Sequence, residues 1–168
     1  AAQFAGDTPT TILNIGGIAN ISILHNNPQE AVIGFDTGPG NALMDYWTHT
    51  HLGQAFDENG SWAASGKIIP NLLKSFLSDT YFSKQAPKST GRDLFNPSWL
   101  NDHLNATSSQ KSAPADVQAT LLALTARSIA DHINAYAPNT ERLLVCGGGI
   151  KNTALMDSLK TACPSINS

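Results

Sequence analysis

Three short runs near the start of the chain, TTILNI at 10–15, IANISIL at 18–24 and AVIGF at 31–35, are rich in Ile and Val and bounded by turn signals. Gly16-Gly17 separates the first two and HNNPQE the second from the third, both at hairpin distances, so the pattern predicts a three-stranded antiparallel meander. The apolar period then lengthens. NALMDYWTHTHL at 41–52 places Leu43, Met44, Trp47 and Leu52 at helical spacing, with Asn41 in a capping position, and a strand-to-helix junction falls on DTGPG. A second helix is expected over 62–78, interrupted early by Gly66 and Pro70, and 79–115 reads as polar and irregular. The strongest helical pattern is DVQATLLALTARSIADHINAY at 116–136, between Pro114 and Pro138. RLLVC at 142–146 is apolar almost throughout, as a strand covered on both faces would be, and GGGIKN leads from it into the short helix TALMDSLKTAC. Strands, helices, then strand and helix again predict an α/β fold, a mixed sheet with flanking helices. Such a sheet would need a further strand and helix beyond CPSINS, and the chain begins without Met, so the sequence reads as truncated at both ends.

Composition narrows the classes of function. With 168 residues, 41% hydrophobic and only 14% charged, the chain suits one domain with a sizeable core. A net charge of -3 provides no basic field to collect nucleic acid or anionic lipid. Cys146 and Cys163 form no CxxC and no paired His/Cys spacing, which argues against a zinc site or a disulfide framework and suits a reducing cytoplasm. No stretch approaches the roughly 18 apolar residues of a membrane span, and the amino end AAQFAGDTPT has no export pattern, so the location expected is cytoplasmic. The NxS/T sequons at Asn20, Asn59 and Asn105 then read as chance.

Three glycine-rich stretches could carry chemistry. GFDTGPGN at 34–41 sets one carboxylate, Asp36, in a sharply bent backbone, where Asp commonly just closes a turn. NIGGIAN at 14–20 is either an ordinary Gly-Gly hairpin or a tip whose bare N–H groups meet an anion. Gly147 to Gly149 sit between a strand and a helix, where a nucleotide could rest against backbone. GSWAASGK at 60–67 is not a P-loop: it has one residue too many between its glycines, and Ile68 where Ser or Thr should hold a metal. His49 and His51, two apart on a helix, point to different faces, and His25, His103 and His132 are expected to be solvated.

Taken together, NIGGIANIS, GFDTGPGNALMD, FDENGSWAASG, PKSTGRDLFNPSWL, DVQATLLALTARSIA and VCGGGIKNTALMDSL resemble, in order and spacing from about 11 to 160, the anhydro-N-acetylmuramic acid kinase family. That family belongs to the sugar kinase, Hsp70 and actin superfamily, whose two ribonuclease-H-like domains close on ATP. The resemblance implies that residues 1–168 form most of the second, nucleotide-side domain. It implies phosphate contacts from Gly16, Gly17, Asn14 and Asn20, and ribose and purine contacts from Gly147, Gly148, Gly149 and Asn152. It makes Asp36 the catalytic base, while Asp45 either caps and orients or is structural. Arg92 either grips a substrate carboxylate or phosphate or pairs with Asp93 or a neighbouring helix. The implied reaction uses ATP and Mg²⁺ to open 1,6-anhydro-N-acetylmuramic acid with water and phosphorylate it to N-acetylmuramate 6-phosphate, a peptidoglycan-recycling step. The metal ligands and the first phosphate loop belong to the family's first domain. This chain alone is therefore expected to be inactive, and its expected partners are the sugar, that first domain and a second copy paired at an open sheet edge. Another sugar or carboxylate kinase, or a non-catalytic nucleotide-binding module, are the alternatives.

Overall fold

The computed structural model describes residues 9–24, 33–85 and 94–163. Strands β1 (Thr10–Ile15), β2 (Ile18–Leu24), β3 (Ile33–Pro39) and β4 (Arg142–Cys146) form one sheet in the order β3-β2-β1-β4. The first three strands are antiparallel, as their hairpin turns predict, and β4 joins parallel to β1. The helices are α1 (Ala42–Leu52), α2 (Ser61–Ser65), α3 (Pro70–Leu77), α4 (Pro97–Ala106), α5 (Pro114–Tyr136) and α6 (Thr153–Ala162).

The period-2 pattern of the strands buries one face. Leu13, Ile15, Ala19 and Ile21 are fully buried and Phe35 nearly so, while Asn14, Asn20 and Ser22 on the alternate positions stay half-exposed. The buried face rests on α5, which also gathers α1, α2, α3 and α6 around itself. This explains why fourteen α5 residues are buried, the polar Gln118, Thr125, Ser128 and His132 among them. His132, expected to be solvated, lies in that core with its ring 5.9 Å from Phe35 and its Nδ1 2.6 Å from the Ser128 carbonyl, so Nδ1 carries the proton. His103 is half-buried against Ser75 Oγ (2.7 Å), and burial lowers its pKa although Asp79 and Asp102 work the other way. Along β4 only Leu143 is buried. RLLVC is therefore covered on one face rather than both, the buried Leu143 lying on the side of the sheet that packs against α5.

Two departures lie between the strands and α5. The helix expected over 62–78 is broken: Gly66 to Ile69 run extended, and the Lys67 and Ile69 N–H groups donate to Asp116 Oδ1 and Thr120 Oγ1 (both 2.9 Å). Pro70 then starts α3 in a position where its missing N–H costs nothing. The stretch expected to be irregular contains α4, started by Asn96, whose side chain accepts the Trp99 N–H (2.8 Å), with Pro97 at the first turn. Trp99 stacks on Phe76 (5.1 Å) and donates Nε1–H to Asp79 Oδ2 (2.8 Å); the other Asp79 oxygen accepts the Tyr81 N–H (2.8 Å).

A Cβ at Gly66 would run into the Ala115 backbone at the start of α5. Gly66→Ala should therefore destabilise the protein by about 1–3 kcal/mol, the usual range for overpacking. Thermal denaturation should register this as a fall of several degrees.

Candidate active site

Three glycine turns meet at one end of the sheet. The N-terminus of α1 donates to the β1–β2 hairpin tip, with Gly40 N to Gly17 O at 2.9 Å, Asn41 N to Gly16 O at 2.9 Å and Ala42 N to Gly17 O at 3.2 Å. Donors that a helix start normally leaves orphaned are satisfied by these carbonyls, and the Asn41 side chain, placed for capping, makes no cap bond. The third turn follows β4: Gly147 has φ +89°, then a 3-10 turn spans Gly148–Lys151, and Asn152 caps α6 by accepting the Leu155 N–H (3.0 Å).

The space around each glycine separates them. A Cβ at Gly147 would stand 2.6 Å from both Asn14 Oδ1 and Ile15 O, one at Gly149 would strike the Ile15 side chain, and one at Gly40 would strike Gly16 O. Packing alone demands those three. At Gly16, Gly17 and Gly148 an added Cβ would meet nothing nearer than 3.7, 3.5 and 3.8 Å, so the fold does not require glycine there.

Strand register aligns the polar candidates. Asp36 pairs with Asn20, Asn20 with Asn14, and Asn14 with Cys146, giving one row across all four strands. The neighbouring row, Phe35, Ile21, Leu13 and Val145, faces α5, so the polar row belongs to the opposite face. Asp36, Asn20 and Asn14 are half-exposed, Cys146 is exposed, and its thiol donates to Asn14 Oδ1 at 3.6 Å. Asp36 stands within β3, not in a turn: the strand continues to Pro39 because Ile18 and Ala19 pair with Pro39 and Gly38, leaving Thr37 as a bulge. Bulges re-aim the side chains beside them. Thr37 Oγ1 donates to Ala19 O (3.3 Å), and the Tyr81 hydroxyl donates to the Asp36 carbonyl (2.6 Å). Burial, and then the nearby Asp36 carboxylate, raise the Tyr81 pKa and keep that hydroxyl a donor.

On the far side of the α1 N-terminus lies a pocket of about 270 Å³, bounded by α1, the 3-10 turn Glu58–Gly60 and the Gly148–Asn152 turn. Asn41, Asp45, Asn59 and Lys151 supply its polar wall, Met44 and Phe56 its apolar one. Asp57 lines it too but spends both oxygens on the Trp62 and Ala63 N–H groups (2.9 Å each) at the start of α2. Of the residues singled out from sequence, Gly148, Gly149 and Asn152 border this pocket, while Asn14, Asn20 and Asp36 share the polar row. The wall formed by Phe56, Asp57 and Asn59 was missed, although FDENG holds a signal: Asn59 and Gly60 both take left-handed backbone, at φ 58° and 69°. Arg92 and His25 lie outside the described residues. His51 packs its ring 4.0 Å from Trp47, and no group of three or more His, Cys, Asp or Glu able to hold a metal occurs among the described residues. No helix among them is long and apolar enough to cross a membrane.

The model of one family, anhydro-N-acetylmuramic acid kinase, matches residues 2–168. This chain belongs to that family. It is 51% identical over 161 residues to the anhydro-N-acetylmuramic acid kinase of Ralstonia nicotianae, covering 94% of this chain and 42% of the relative, and 52% identical over 158 residues to that of Chromobacterium violaceum, with the same coverage. The chain thus spans less than half the length of these curated relatives. Among solved structures it is similar to the activator of the 2-hydroxyisocaproyl-CoA dehydratase from Clostridium difficile with bound ADPNP (TM-score 0.60, 14% identity, 98% of this chain and 55% of that one). It is also similar to xylulose kinase from Rhodospirillum rubrum (TM-score 0.54, 13% identity, 95% and 35%). These two likenesses show the fold alone, a mixed sheet with flanking helices.

Asp45 lines the pocket half-buried beside Asp57. Burial, and then the negative charge of Asp57, raise its pKa from 3.8 to about 6, against the α1 N-terminal dipole that favours the charged form. A carboxyl shifted upward gives stability that is fully present below pH 3.8 and lost as pH rises through about 6. Asp45→Asn should therefore change little at pH 4 and stabilise the protein at pH 7. The gain should be roughly 1 kcal/mol, discounted for the solvent that reaches this half-buried group. Melting temperatures across pH 4–8 check this.

Proposed function

We propose that this chain forms the nucleotide-side part of an ATP-dependent kinase that opens 1,6-anhydro-N-acetylmuramic acid and delivers N-acetylmuramate 6-phosphate, a peptidoglycan-recycling reaction in the cytoplasm. The observation that carries the reading is the polar row, with Asp36 half-exposed beside a bulge and held through its own carbonyl by Tyr81. A base must be placed by its backbone yet leave its carboxylate facing the reactants.

In this mechanism Asp36 accepts a proton from water as the water oxygen bonds to the anomeric carbon. The bond from that carbon to O6 breaks and leaves its electron pair on O6, which takes the γ-phosphoryl group as ADP departs. Asn14 and Asn20, on the same row, orient polar groups of the reactants. The open space over Gly16 and Gly17 admits phosphate oxygens to the hairpin backbone, and that over Gly148 admits the nucleoside, with Asn152 offering its amide N–H because its carbonyl is committed to the α6 cap. ATP supplies the phosphoryl group. Mg²⁺ ordinarily neutralises charge in such transfers, but the described residues present no ligand set for it, so no step here is assigned to a metal. The sugar and the other wall of the cleft are partners of this part, and the remaining length of the relatives is the source of that wall.

In the full-length enzyme, Asp36→Asn should lower kcat by about 10²–10⁴, the usual contribution of a general base, with the ATP KM nearly unchanged. Coupled ADP release and chromatographic detection of the phosphorylated sugar measure both. Turnover at the wild-type rate would remove Asp36 from the mechanism.

A further inference from the structure

Two side chains in the pocket beside Gly148 are explained neither by capping nor by core packing. Phe56 is 53% exposed yet lines the pocket, leaving an aromatic face in water. Asp45, half-buried in the same pocket, has no hydrogen-bond or ion-pair partner among the described residues, whereas Asp57 beside it is fully committed to the start of α2. Two carboxylates and one ammonium, Lys151, line the cavity, so it disfavours an anionic guest and suits a neutral one rich in N–H and O–H donors. Its volume, about 270 Å³, is at the low end of small-molecule sites, which suits a nucleoside rather than a whole triphosphate.

We infer that Phe56 and Asp45 are specificity residues for the phosphoryl donor: a purine lies against the Phe56 ring beside the Gly148–Gly149 backbone, and the Asp45 carboxylate accepts a hydrogen bond from a nucleoside donor group. This deepens the kinase reading and rests on it for the identity of the donor, but its residues and their pH behaviour are separate from the reaction at Asp36. Because the carboxylate, not the acid, accepts that bond, nucleotide affinity falls as Asp45 takes up a proton. The charged groups that share the pocket with it are Asp57, ahead of α2, and Lys151, on the glycine turn.

The test is calorimetric binding of ADP to the full-length enzyme from pH 5 to pH 8, with the sugar KM as a control. Wild-type affinity should weaken below about pH 6. Asp45→Asn should bind about tenfold more weakly at pH 7.5 and lose that pH dependence. Phe56→Leu should weaken ADP about tenfold and Phe56→Tyr by no more than two- to threefold, with circular dichroism confirming the fold of each. The sugar KM should stay within twofold throughout. Unchanged ADP affinity in both Asp45→Asn and Phe56→Leu, or a pH dependence that survives Asp45→Asn, would overturn the inference. Wild-type turnover of the anhydro sugar would leave the kinase reading standing in that case. Loss of ADP binding on these substitutions, in an enzyme that fails to open the sugar, would sink the kinase reading and support Phe56 and Asp45 as nucleotide contacts alone.

Discussion

The bonds from the Gly40, Asn41 and Ala42 N–H groups to the Gly16 and Gly17 carbonyls are the joint on which the rest of this end of the molecule depends. Each contributes only about 1 kcal/mol net, but together they settle donors that would otherwise be orphaned at the start of α1. They are formed backbone to backbone, which is why no side chain fits at Gly40. Asp36 precedes the joint on β3 and Asp45 follows it in the first turn of α1, so one set of bonds anchors the chain between the two carboxylates. The turn after β4 closes on the joint through Gly147 and Gly149, which press against Asn14 and Ile15.

Much of this was legible in the sequence where the determinant is local. Alternation of Ile, Leu and Asn predicts β1 and β2 and which face is buried, and Pro114 and Pro138 bracket α5 closely. The failures share one cause: the deciding partner is far along the chain. The 62–78 helix breaks because Asp116 and Thr120 capture the N–H groups of Lys67 and Ile69. His132 is buried because helices surround α5 on several sides, which no pattern within its own segment states. Asn96-Pro97, by contrast, is a local helix-start signal that the prolines around it obscured.

The candidate site divides in the same way. The motifs gave Asp36, Asn14 and Asn20 a role, and strand register brings those three into one row. They could not reveal the bulge at Thr37, which depends on pairing with β2, or the Tyr81 hydroxyl that holds the Asp36 carbonyl from 45 residues away. They also treated the glycines as alike. The structure sorts them into those that packing requires, Gly40, Gly147 and Gly149, and those it leaves unconstrained, Gly16, Gly17 and Gly148. Only the second group needs an explanation from outside the chain.

The two carboxylates show how one short segment can hold unlike chemistry. Asp45 sits in a half-closed pocket with Asp57 for company, and its pKa rises to about 6. Asp36 stands half-exposed in a row of neutral amides, on a sheet face that water reaches. The two are placed by different means: burial and a neighbouring charge act on Asp45, whereas strand register and the Thr37 bulge set where Asp36 stands. On the open sheet face the backbone therefore sets the position of the carboxylate, through pairing with Asn20 on one side and the Tyr81 bond to its own carbonyl on the other.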